Sequence, residues 1–265
     1  SFEKNGFFLG ADTNTGGAVN GNNESLVAWC WKGGGDAVAG TGSGVTNVLV
    51  SANTEAGFSI VKYTGGNSAS DTVNHGLTDA EMIILKDLDD ASNNWRVWHK
   101  DLTTNYWLYL NLTNAQASAA TDGGIRNVDS NNFGFINGTT AGVEGVNSSA
   151  SNYIAYVWKS IAGYSSIGSY EGNGTTATTT ITTGFKPSWV MIKRIDSANS
   201  WRIFDTRRDT TPLNLILDAD TNNAESNGGT TTSINITSTG FNMNTSQFGG
   251  SINTDGGQYL YMAFK

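Results

Sequence analysis

The phrase "YIAYVWKS" (residues 153–160) is anticipated by "LVAWCWKG" (26–33) and answered by "YLYMAFK" (259–265), which closes the chain. Each is an apolar and aromatic run that ends on an aromatic residue and a lysine: Trp31-Lys32, Trp158-Lys159 and Phe264-Lys265. Trp158 lies 127 residues after Trp31, and Phe264 lies 106 residues after Trp158. The surroundings match in the same order. "WRVW" (95–98) returns as "WRIF" (201–204), "MIILK" (82–86) as "WVMIK" (189–193), and "GFSIVKYTGG" from Gly57 as "GYSSIGSYEGNG" from Gly163. "NHGL", ending at Leu77, corresponds to "TTGF", ending at Phe185, and "NNFGF" (131–135) to "STGFNM" (238–243), with a further echo in "KNGFFL" (4–9). Such ordered, nearly constant offsets mark a tandem repeat. The expected units are 33–158, 159–265 and, at 1–32, the tail of an earlier copy. The first full copy is longer, with insertions expected in "GGGDAVAGTGSGVTN" (33–47) and around 103–116, since length differences between copies fall in surface loops.

Within a copy, apolar runs of four to seven residues alternate with Gly, Asn, Asp, Thr and Ser clusters, which reads as short strands joined by turns. Strands are expected near 58–63, 82–87, 94–99, 106–111, 133–136 and 153–158. Their counterparts are expected near 164–170, 189–194, 201–205, 213–217, 233–237, 240–244 and 258–264. "WVMIK" and "YIAYVW" are apolar on both faces and suit strands covered on both sides. No segment carries a sustained helical period, although 113–120 can make a short helical turn. The predicted fold class is therefore all-β, two tandem antiparallel β-sandwich repeats of jelly-roll-like form.

Thirty-three glycines, two prolines and 38% apolar residues describe a loop-rich chain that still builds cores. The formal charge of −8 and the absence of a basic run longer than Arg207-Arg208 exclude phosphate-backbone binding as a function class. No apolar run reaches the length of a membrane span, so no membrane insertion is expected. Cys30 is the single cysteine, read as a small buried hydrophobe in a strand. The chain opens "SFEKNGFF" as though already inside a structural unit.

Chemistry is thinly signalled. His75 and His99, the only histidines, lie in the first copy and read as loop or surface residues, with Thr182 and Asp205 near the matching positions. No nucleophile elbow, zinc-binding helix motif, phosphate loop or cysteine cluster is present, so no catalytic residue is assigned. "KDLDDAS" brings Asp87, Asp89 and Asp90 together. "LDADTNN" brings Asp218, Asp220 and Asn222 in the D-x-D-x-N opening of a calcium loop, and calcium is the one candidate cofactor. That loop departs from an EF-hand at Asn223 and Gly229, and solvated turn carboxylates are the competing reading. Tyr106, Trp107 and Tyr109 with His99, peculiar to the first copy, form with Trp98 the candidate glycan surface, because a flat apolar face with a polar rim suits a sugar ring. Core packing competes with that reading too, and the shared positions Trp95/Trp201 and Trp98/Phe204 favour it.

"WKSIAGYSSIGSYEGNG", "TGFKPSWVMIKR", "SWRIFDTRRD" and the closing "GGQYLYMAFK" resemble a repeat domain of uncharacterised function found in tail-fibre-like and virion structural proteins of marine bacteriophages, including cyanophages. The likeness covers 158–265 almost throughout. The first copy departs from it, with Ala80 in place of Pro187 and Met82 in place of Trp189. The resemblance implies a non-enzymatic virion part, such as a tail fibre, spike or capsid-attached fibre. It further implies a homo-oligomer among other virion proteins at the virion surface, with a host surface glycan as the candidate external partner. A secreted carbohydrate-binding module or polysaccharide-degrading enzyme is the alternative.

Overall fold

A computed structural model describes residues 2–3, 6–10, 20–21, 23–139, 142–143, 145–174, 179–229, 232–243 and 251–265. By contacts the chain divides into two compact units, Ser1–Lys32 and Gly33–Lys265. In the first, β1 (Phe2–Glu3) and β2 (Gly6–Phe7) pair antiparallel. "LVAWCWKG" forms no strand, and Leu26, Val27 and Cys30 are exposed. This corrects the reading of Cys30 as buried in a strand. A unit of this length encloses little core, so apolar residues within it stay exposed.

The second unit holds β3 (Val38–Ala39), β4 (Gly42–Ser43), β5 (Thr46–Asn53), β6 (Phe58–Thr64), β7 (Thr72–Asn74), β8 (Met82–Asp87), β9 (Arg96–His99), β10 (Tyr106–Tyr109), β11 (Ala117–Ser118), β12 (Gly124–Arg126), β13 (Asn132–Ile136) and β14 (Asn152–Trp158). Then follow β15 (Ser165–Glu171), β16 (Thr180–Thr182), β17 (Trp189–Arg194), β18 (Arg202–Asp205), β19 (Leu215–Asp218), β20 (Ser226–Asn227), β21 (Ile234–Thr237), β22 (Gly240–Met243) and β23 (Gln258–Phe264). The last residue of the strand expected at 240–244, Asn244, lies outside the described residues. One helical turn, α1 (Ala119–Asp122), is capped by the Ser118 hydroxyl.

The fold is all-β and sandwich-type, and its named strand pairs are antiparallel. The sheets of the two halves follow one plan. The large sheets run β11-β10-β9-β8-β14-β6-β5-β3 and β20-β19-β18-β17-β23-β15; the small ones run β12-β13-β7-β4 and β21-β22-β16. Strand for strand the orders coincide, and the surplus strands β3, β4 and β5 fall between residues 33 and 53.

The central strands of each large sheet bury both faces, in agreement with runs that are apolar at successive positions, while strands at or beside the edges keep exposed residues. In the first half Val61, Tyr63, Ile83, Leu85, Tyr153, Ala155 and Val157 meet Val73, Ile125, Phe133 and Phe135 of the small sheet. In the second, Val190, Ile192, Phe204, Tyr259 and Ala263 meet Ile181, Ile234, Phe241 and Met243. The intervening residues point the other way. Met82, Ile84, Val97 and Leu108 share one outward face by register, and Met191, Ile203, Leu260 and Met262 share another. All of these are buried. Met82 and His99 line one small space with Met191, Trp201, Leu260 and Met262, so the two large sheets pack back to back and the unit has four layers.

Polar ties reinforce this seam. Trp201 Nε1 donates to the Tyr109 carbonyl at 2.8 Å, and Lys193 Nζ donates to the Thr113 carbonyl at 3.0 Å and to Asn199 O at 2.6 Å. Asn199 N–H donates to Thr113 O, and Gln116 N–H to Ile195 O. The first-half partners all lie in 109–116, which docks the second half. This corrects the reading of 103–116 as an insertion: β10 and β11 match β19 and β20 in strand order, and the stretch from Arg96 to Tyr109 is shorter than that from Arg202 to Asp218.

Candidate functional site

The candidate residues fall into place through β9 and β10. In the register of these strands Tyr109 stands opposite Arg96 and Leu108 opposite Val97. Alternation therefore puts Trp98, Trp107 and Tyr109 on the face with Arg96, and His99 and Tyr106 on the seam face. The five do not form one surface. Trp107 is buried, and the Arg96 guanidinium lies 4.0 Å from its ring and 4.9 Å from that of Tyr109. This is a buried cation–π box, with the Trp107 and Tyr109 ring centroids 4.2 Å apart.

The second half holds its arginine with a charge. Arg202 stands opposite Asp218 in the equivalent register, and its Nη1 donates to both carboxylate oxygens at 2.8 Å. Burial pushes the Asp218 carboxyl above its ordinary value, with Arg202 opposing the shift. Asp220 accepts the Trp201 N–H at 2.7 Å, as Asn111 accepts the Trp95 N–H at 3.0 Å. Asn222 is exposed. The carboxylates read as a calcium loop thus close a strand end and an ion pair, and no group of three or more His, Cys, Asp or Glu suited to a metal occurs among the described residues. Asp87 likewise turns inward to accept the N–H groups of Asp89 and Asp90.

Both histidines are buried, which corrects their reading as loop or surface residues. The reason lies in the turns they close. His75 Nδ1 accepts the Leu77 N–H, and in the second half the Thr183 hydroxyl accepts from Phe185. Thr183, not Thr182, is therefore the structural counterpart of His75. His99 Nδ1 accepts the Asp101 N–H, and Asp205 accepts from Arg207 and Arg208. Burial lowers the pKa of both imidazoles, that of His99 to about 3 with help from the neighbouring Lys100 charge.

Two features carry little sequence signal. Asn147 and Asn253 are buried, each in the frame Val/Ile-Asn-Ser/Thr ahead of a tyrosine. Asn147 Oδ1 accepts the Gly66 N–H and its Nδ2 reaches Ser68 O and Asp71; Asn253 accepts from Asn173 and reaches Gly174 O. Beside them stacked tyrosines, Tyr63/Tyr153 at 5.1 Å and Tyr170/Tyr259 at 4.9 Å, bond the backbone at Val146, Ser148, Ile252 and Thr254. The second feature is a cleft of about 360 Å³ lined by Thr54, Asn74, Gly76, Leu77, Thr78, Asn131 and Lys159, the lysine that ends the repeated phrase.

Fold and sites together define a tandem-repeat β-sandwich protein whose candidate chemical groups serve as caps, ion pairs and packing. The chain belongs to the DUF7483 family, a domain of unknown function whose profile matches residues 1–265. No curated protein and no solved structure matches it.

Proposed function

We propose that the protein is a non-enzymatic structural module of a bacteriophage virion appendage (a tail fibre, spike or capsid-attached fibre), displayed at the virion surface as a homo-oligomer and contributing to host-surface attachment. One observation carries the non-enzymatic part. The acid–base candidates singled out by the sequence, His75, His99, Asp218 and Asp220, hold positions whose repeat counterparts close turns and pair arginines or cap strands. The virion part rests on the resemblance of 158–265 to tail-fibre-like proteins. Attachment by an oligomer needs no strong single site, because weak sites presented together add up through effective concentration.

Labelled antibodies against the chain, applied to phage particles in electron micrographs, are expected to decorate the tail or capsid exterior. Purified chain incubated with host surface polysaccharide is expected to release no new sugar ends. Release that disappears on replacing one carboxylate overturns the reading in favour of a degrading enzyme. The second reading, a secreted carbohydrate-binding module, is favoured by the polar cleft at Lys159.

A further inference from the structure

We propose that the cleft between the β5–β6 turn, the segment after β7 and the exit of β14 binds a carboxylated saccharide unit of mono- or disaccharide size. Its volume of about 360 Å³ lies at the small end of ligand pockets. Its lining is hydroxyl and amide with one cation: Thr54, Thr78, Asn74 and Asn131 beside Lys159, and Leu77 as the sole large apolar member. Such a wall, in which polar groups alternate with apolar surface around Leu77, matches a guest with hydroxyls, an apolar ring face and one anionic group.

The wall is already set. Asn74 donates through Nδ2 to Asn131 O at 2.9 Å and accepts the Gly76 N–H, while buried His75 braces the same strand end on Asp129 O and Leu77 N–H. Lys159 is held by its backbone, whose N–H donates to Gly57 O at 2.9 Å. Gly57 has φ +62, and a Cβ there would lie 2.6 Å from the Lys159 carbonyl, so the approach requires glycine. The half-buried ammonium donates to Thr78 Oγ1 at 2.9 Å. Among the described residues no carboxylate lies within ion-pair distance of it.

The nearby acids are occupied elsewhere, Glu81 by Lys100 and Ser160, and Asp129 by the Asn131 and Asn132 N–H groups. An ammonium with three donors and one protein acceptor keeps donors for a guest carboxylate. A lone lysine attracts any small anion as a point charge, and the hydroxyl and amide groups around it favour an anion carried on a saccharide. The second half lacks the set, with Thr182 for Asn74, Lys186 for Thr78 and exposed Lys265 for Lys159.

This site stands whether or not the protein belongs to a virion. NMR titration of the full chain with glucuronate, glucose and sodium sulfate tests it. Glucuronate is expected to shift the Gly76 and Leu77 amides, Lys159→Met to weaken its binding by about tenfold or more, and glucose and sulfate to bind more weakly than glucuronate. Thr54→Val, at the exposed rim and away from the Lys159–Thr78 bond, is expected to weaken binding severalfold with an unchanged melting temperature. No shift at millimolar glucuronate, binding indifferent to both variants, or glucose or sulfate bound as well as glucuronate overturns the proposal.

Discussion

One position in the repeat accounts for both sites that the sequence advertises. Opposite the arginine of "WR", the first half places Tyr109, with Trp107 beside it, and the second places Asp218. A ring and a carboxylate solve the same problem, that of holding a guanidinium taken out of full contact with water, buried for Arg96 and half-buried for Arg202. Asp218→Ala is therefore expected to destabilise the protein by roughly 1.5–3 kcal/mol in denaturant titration, since it strands Arg202. Asp218→Tyr, the first half's own solution, should lose less. Millimolar calcium is expected to leave the melting temperature of the parent chain unchanged. His99 offers a second residue-scale check. Its folded pKa of about 3 lies below the ordinary 6.5, so below pH 6.5 the unfolded chain takes up a proton that the folded chain refuses. The stability it contributes is complete above pH 6.5 and falls by about 1.4 kcal/mol per pH unit on acidification toward 3. His75, lowered in the same direction, adds to the upper part of that window. Between pH 6.5 and 5 His99→Asn should remove about one proton's worth of the slope measured by chemical denaturation.

Among the elements, the closing strands β14 and β23 are anchored by the buried asparagines that precede them. Asn253→Ala leaves the Asn173 N–H and the Gly174 carbonyl without their partner inside the structure. A loss of about 2–4 kcal/mol is expected for the two unmet groups, with Asn147→Ala behaving alike in the first half. The long strands that recur in both halves were legible in the sequence because their phrases repeat and their central members are apolar on both faces. β5, the longest, went unread because it has no second copy among the described residues and carries exposed residues. The two-residue strands β3, β4, β11 and β20 were not, since their exposed or half-exposed residues carry no alternation. "LVAWCWKG" shows the converse, a phrase with the letters of a strand that takes no strand conformation and leaves Leu26, Val27 and Cys30 exposed. The candidate sites misled for a related reason. Composition shows aromatics near an arginine and aspartates near a turn, but only the β9–β10 and β18–β19 registers reveal that each faces the other across a ladder. The cleft was invisible because Thr54, Asn74, Asn131 and Lys159 are far apart in sequence, and the repeat phrases that contain three of them say nothing of their meeting.

At the scale of the whole molecule, residues 33–265 form one body because the large sheets turn their second apolar faces toward each other. Met82, Ile84, Val97 and Leu108 on one side and Met191, Ile203, Leu260 and Met262 on the other remain buried only while both halves are folded. Each such side chain contributes roughly 1.5–3 kcal/mol on burial, so a half separated from its neighbour forfeits a large share of its stability. The direct measurement is differential scanning calorimetry of the full chain beside its Leu260→Asp variant, which places a charge in the seam. The parent should unfold in one transition whose calorimetric and van't Hoff enthalpies agree, and the variant should lower the melting of both halves together. Two separate transitions in the parent, or a variant that shifts the second half while the first melts unchanged, would contradict the seam as the bond between the repeats.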